Sequence, residues 1–339
     1  MRKFLIGVLA VVALTVVAGY FLLSRPDVSY ADLDKAYATP VSKFIDMSDV
    51  GGNGLSAHYR DEGNPNGRVL LLVHGFSAST QTWDKWIAPL GGEYRMVSID
   101  LPGHGLTVTP KGYQPTIEGF ADTIDAFADK LRLGKVTVIG SSMGGGTAWL
   151  LALRHPDRIN ALVLVDASVW PEPPRDNDNG PKIFALMRNP VAGPILRRLD
   201  TTPMVRQGLQ SAFHDPALAD DAMVKRYVDM SRAPNHGEVL LDIMSGRAER
   251  SVATREMLAK ISVPTLILWG RQDNLVPVAS ATKFNDAITG SKLIVYDKVG
   301  HLPQEEIPVR SADDLRNFLH AAFPETPAGA PLAAALPPK

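Results

Sequence analysis

Ser142 lies in Gly140-Ser141-Ser142-Met143-Gly144, a G-x-S-x-G pentapeptide between the apolar run VTVI and a helix-forming stretch. A serine hydroxyl is a poor nucleophile unless a base takes its proton and a third group orients that base. The chain offers both further on: Asp273 in GRQDNLVP and His301 in VGHLPQEE. Serine, acid and histidine in this order suit a nucleophile carried on a sharp strand-to-helix turn, attacking a carbonyl carbon. The attacked oxygen becomes an anion and needs donors. The predicted donors are the backbone N–H groups of Met143, next to the serine, and of Phe76, in the segment VHGF.

Each residue alone has an ordinary reading: a helix-capping serine, a turn carboxylate, a loop histidine. Their shared position after apolar runs argues for chemistry, because open parallel sheets place their sites at the carboxyl ends of strands. Asp166, which follows LVLV, is the rival acid. Among the other histidines, His58, His74 and His104 precede the serine, the wrong side for this order. His155 ends a helix, His214 and His236 fall in a helical region, and His320 lies on the last helix.

These residues must be held by a sheet. KFIDMS and LSAHYRDEG read as two strands around a Gly/Asn turn, and RVLLLVHGF and RMVSIDLPGHG as strands running into loops. TIEGFADTIDAFADKLRL has helical apolar spacing; VTVIGSS, a helix, and the strand INALVLVDAS follow. Strands alternating with helices predict an α/β fold with a mostly parallel sheet covered on both faces. The alternation stops from about 170 to 262, where KIFALMRNP, ALADDAMVKRYVDM and GEVLLDIMSG read as helices. It resumes with PTLILWGRQD, a helix over 278–288, KLIVYDKVGH and a helix over 311–323. The expected organisation is a core of 41–169 and 263–323, a helical cap over 170–262 roofing the sheet edge, and a disordered Pro/Ala-rich tail over 324–339.

Taken together, LLLVHGFSAS, SIDLPGHG, VIGSSMGGG, LWGRQDNLVP and VGHLPQEE resemble the α/β-hydrolase superfamily, in its order and spacing, from about residue 40 to 323. The resemblance implies eight strands with a cap between the sixth and seventh, and Ser142, Asp273 and His301 as a triad. It also implies that His74, Asp100 and His104 shape loops. An aspartate would stand at position 142 in the dehalogenase and epoxide hydrolase branches, so this chain departs from those. The expected activity is hydrolysis of small to medium apolar carboxylic esters through an acyl-enzyme. The alternatives are a carbon–carbon hydrolase of ring-cleavage products, a cofactor-free perhydrolase, a lipase, or a binding protein on the same fold.

The 339 residues carry a formal net charge of −1 and no cysteine. Nucleic acid is therefore not an expected partner, and thiolate chemistry is excluded. No cofactor or metal is expected. The uncharged stretch 4–23 after Arg2 and Lys3 predicts a membrane anchor with the remainder exported, on the periplasmic side in a bacterium. A cleaved signal segment, giving a secreted or periplasmic protein, is the alternative. Residues 24–40 read as a tether without sustained periodicity.

Overall fold

The computed structural model describes residues 24–168, 199–244 and 253–324, together with Gly19, Asn189 and Gly193. Eight strands form one sheet: β1 (Ser42–Asp46), β2 (Ser56–Gly63), β3 (Val69–Val73), β4 (Arg95–Ile99), β5 (Val136–Ser141), β6 (Ile159–Val165), β7 (Thr265–Gly270) and β8 (Lys292–Tyr296). Their spatial order is β1-β2-β4-β3-β5-β6-β7-β8. Only β2 runs against its neighbours, pairing antiparallel with β1 and β4, while the pairs from β4 to β8 are parallel. The sheet is thus mixed at one edge and parallel where the predicted site residues lie.

Side-chain alternation along the central strands divides the core in two. Leu71, Val73 and Val138 face one apolar layer, which also takes Phe120, Ile124 and Phe127, Trp149 and Phe284. Leu70, Leu72 and Ile139 face the other, with Trp86, Leu315, Phe318 and Leu319. Strands buried on both faces need a continuous apolar run, which is why β5 and β7 are buried at every position.

Nine longer helices accompany the sheet among the described residues. They are α1 (Tyr30–Tyr37), α2 (Asp84–Leu90), α3 (Ile117–Lys130), α4 (Met143–Arg154), α5 (Thr202–Ala212), α6 (Asp221–Ser231), α7 (His236–Met244), α8 (Ala279–Ala287) and α9 (Pro308–Ala322). Helices α5 to α7 fall between β6 and β7, in the expected cap. The Thr116 hydroxyl caps α3 by accepting the Gly119 N–H at 2.8 Å, and the Asp220 carboxylate caps α6 by accepting the Met223 N–H at 2.7 Å. The cap has its own apolar cluster, with Leu209, Phe213, Val224, Tyr227 and Val228, closed from the core side by Ala78 and Leu302.

Two expectations are corrected. Among the described residues no helix is long and apolar enough to cross a membrane. The membrane anchor and the exported location built on it are therefore withdrawn; residues 4–23, apart from Gly19, lie outside the described residues. Second, residues 24–40 are not a loose tether. Ser29 caps α1, and Leu33 packs with Leu106, Met230 and Ala233, joining core and cap. Tyr30 donates to the Pro234 carbonyl at 2.9 Å and Tyr37 to the Asp229 carboxylate at 2.6 Å. The apolar spacing Tyr30, Leu33, Tyr37 is helical but spans only two turns, too short to stand out from its polar surroundings. Helix α5 also went unpredicted, while KIFALMRNP and most of the tail lie outside the described residues.

Candidate active site

Ser142 sits at the junction of β5 and α4 with φ 53° and ψ −119°. A serine rarely adopts the left-handed region, and such backbone persists only where the surroundings hold it. The hold is visible here. Ser142 donates its N–H to Val165 O at 2.9 Å, while its own carbonyl accepts from Gly145, Gly146 and Ser168. The turn lifts the side chain off the sheet into a cavity of about 460 Å³.

Asp273 and His301 meet beyond β7 and β8. His301 Nδ1 lies 2.7 Å from Asp273 Oδ2, and both side chains are almost wholly buried. Asp273 Oδ1 accepts the N–H groups of Leu275 at 2.7 Å and Val276 at 2.9 Å. A carboxylate on Nδ1 leaves Nε2 as the imidazole's proton-accepting nitrogen. Ser142 and His301 line the same cavity. No hydrogen bond joins Ser142 Oγ to His301 in this structure; such bonds often tighten only with substrate present.

The His301 loop is tied to the cap. Its N–H donates to Ala212 O, at the end of α5, at 2.6 Å. Glu306 accepts from Gly300 N at 2.7 Å and from the cap amides of His214 and Asp215 at 3.1 and 3.2 Å. A Cβ at Gly300 would lie 2.4 Å from Ala212 O, so only glycine permits this approach. Neither Glu306 nor Ala212 carried a sequence signal, because each acts through a contact distant along the chain.

Phe76 and Met143 are the predicted oxyanion donors. Met143 opens α4, so its N–H has no acceptor one turn earlier. Phe76 lines the cavity with Ser142, and no acceptor among the described residues takes its N–H. The neighbouring histidines organise loops. His74 Nδ1 donates to Gly75 O at 2.7 Å, and its Nε2 accepts the Leu101 N–H at 3.0 Å, which fixes a neutral tautomer. Burial pushes the His74 and His104 imidazoles below their ordinary range. Asp100 accepts from the amides of Thr80 and Leu106 and faces His58 Nδ1 at 2.7 Å.

Asp166, the rival acid, ends β6 beside Asp273 and is fully buried. Acid or imidazole ligand atoms of Asp166, Asp273 and His301 all fall within 4.8 Å of one another. Asp273 already has both oxygens occupied, so the cluster is better fitted to a shared proton than to a metal ion. Two carboxylate charges about 5 Å apart repel by about 3 kcal/mol at an effective dielectric of about 20. Burial pushes the Asp166 carboxyl well above the usual range, and the charge of Asp273 adds to this; the Gly270 N–H opposes it.

Most of the cavity wall is apolar, with Leu209, Tyr227, Leu240 and Leu241 from the cap and Leu302 and Leu275 from the core; Thr201, Ser231 and Arg232 are polar members of the cap side. Of the cap methionines, Met204 and Met244 line it, Met223 and Met230 pack elsewhere, and Met187 lies outside the described residues.

A serine on a strained elbow at the carboxyl edge of this sheet, under a helical cap, defines the α/β hydrolases. Residues 68–308 match the family described as the alpha/beta hydrolase fold, and the chain belongs to it. It is similar to an uncharacterized hydrolase, YugF, of Bacillus subtilis, with 25% identity over 269 residues, 79% of this chain and 95% of that one. A 2-hydroxy-6-oxononadienedioate/2-hydroxy-6-oxononatrienedioate hydrolase of a Pseudomonas species is 27% identical over 289 residues, 82% of this chain and 96% of its own. Among solved structures, a meta-cleavage product hydrolase from Pseudomonas fluorescens IP01 superposes with a TM-score of 0.69 at 24% identity, covering 83% of this chain and 98% of that one. The chain is accordingly a hydrolase of this fold.

Proposed function

We propose that the protein is a serine hydrolase of small to medium apolar carboxylic esters, with Ser142 as nucleophile, His301 as base and Asp273 as its orienting acid. The observation that carries this reading is the strained Ser142 elbow opening into the same cavity as a buried His301–Asp273 pair. Ser142 Oγ attacks the ester carbonyl while His301 takes its proton, and the Met143 and Phe76 amides receive the oxyanion. His301 returns the proton to the leaving alcohol, and water then cleaves the acyl-enzyme by the same route. Residues 170–262 act as the cap. The apolar wall and a volume of about 460 Å³ fit an uncharged acyl chain of limited length.

The test is S142A, expected to lose turnover of p-nitrophenyl butyrate by about 10³-fold or more because the covalent step is gone. Native-like turnover would end the proposal. Across p-nitrophenyl esters from acetate to palmitate, kcat/KM should peak at short to medium chains; a peak at palmitate would make the protein a lipase. The similarity to the Pseudomonas hydrolase favours a second reading, carbon–carbon cleavage of a ring-fission product. Clear cleavage of such a product, with no ester turned over, would replace the first reading by that one.

A further inference from the structure

Asp166 is the buried acid that the mechanism above leaves unused. It ends β6, and β6 lies beside β7, so sheet order alone brings it next to Asp273. Its Oδ1 accepts the Gly270 N–H at 2.9 Å. Its Oδ2 is buried with no hydrogen-bond partner among the described residues. Two carboxylates offer only acceptors, so the pair cannot bond until one carries a proton. Asp273 is committed to three donors, whereas Asp166 keeps one oxygen unpartnered among the described residues and brings a carboxylate oxygen within 4.8 Å of the acid–histidine pair. Backbone at Asp166 is also left-handed, with φ 44°, a second strained residue beside Ser142.

We propose that Asp166 is a protonated positioning residue: its O–H is held against Asp273, and when position 273 carries no charge its own carboxylate orients His301. The inference rests on the proposed roles of Ser142, His301 and Asp273. In the native chain the Asp166 proton stays on Asp166 throughout the cycle and steadies the Asp273 carboxylate. Without the charge at 273, that proton passes to solvent, and the resulting anion faces the imidazolium formed when His301 takes the Ser142 proton. Removing the charge at 273 takes away one of the two largest causes that hold the proton on Asp166, and the imidazolium of His301, within 4.8 Å, works against the burial that remains.

The experiment compares D166N in two backgrounds, native and D273N, with p-nitrophenyl butyrate at pH 7.5 and circular dichroism to check folding. An amide at 166 still accepts from Gly270 N–H but cannot ionise, so the substitution isolates charge from shape. D166N should cost at least about tenfold more in the D273N background than in the native one, in kcat and not in KM. A merely structural role predicts the same cost in both, and that result would overturn the proposal. So would no cost in either background. The rate of fluorophosphonate labelling at Ser142 gives the same comparison independently of the natural substrate. Native protein that neither turns over ester nor labels would refute the serine-hydrolase reading itself. A doubly substituted D166N/D273N chain as fast as the native one would refute both that assignment of the acid and this inference.

Discussion

Gly144 lies where α4 meets β3, and G144A probes how finely that contact sets the nucleophile. A Cβ there would lie 2.2 Å from Val73 O and 2.5 Å from His74 O. Both neighbours are backbone carbonyls, so neither can rotate away. Since real Cβ atoms do not approach closer than 3.0 Å, the gap must open by at least about 0.8 Å. The first turn of α4 carries Met143 N–H, and the preceding residue is Ser142, so the nucleophile and one donor shift together. Displacement of a catalytic group by about 1 Å costs about 10²-fold, or about 2.7 kcal/mol of activation free energy. The assay is kcat/KM with p-nitrophenyl butyrate, with folding checked by thermal melting. G92A is the control, because a Cβ at Gly92 meets no atom within 4 Å. If G144A and G92A both stay within about threefold of native, the contact between α4 and β3 does not set the serine, and the reasoning fails.

Three other outcomes are expected. E306A removes the acceptor shared by Gly300, His214 and Asp215 and should lower kcat about tenfold by loosening His301; an unchanged kcat would show that Ala212 O alone suffices. L33A empties the α1 contact and should cost about 2–4 kcal/mol in denaturant unfolding. A loss below about 0.5 kcal/mol would mean that α1 contributes little to stability. The third concerns pH. The raised Asp166 carboxyl keeps its proton in the folded state at pH values where the unfolded chain has lost it. Native stability therefore falls as pH rises from about 4 towards the folded value, and D166N lacks that loss. The melting temperature of D166N relative to native should be higher at pH 8 than at pH 5; a difference independent of pH would contradict a protonated Asp166.

The sheet and the elbow were legible because their signals are local. A short run rich in β-branched residues such as VTVI favours a buried strand, and GSSMG directly after it marks a turn. The order of Asp273 and His301 after further apolar runs then followed from the chain alone. Helix α1 was missed because its contacts are made by Leu33, Tyr30 and Tyr37 with the cap, residues nearly two hundred positions away. Helix α5 escaped because its two buried apolar residues, Leu209 and Ala212, are diluted by Gln, Gly and Ser. Asp166 was visible as a strand-end acid and was weighed only as a substitute for Asp273; that the two acids adjoin is a consequence of strand order, which no local pattern encodes.

The hydrogen bond from His301 N–H to Ala212 O makes the cap a poor cassette for exchange. A cap grafted from a relative would bring a different end to α5, and the recipient's histidine loop would lose its acceptor. It would also meet a new backbone where Gly300 now sits against Ala212 and Phe213. Chimeras that move 199–244 alone should therefore change rate and selectivity together. The transferable unit is two segments that are remote in sequence: the cap and the loop around Gly300 and His301, joined by the carboxylate of Glu306.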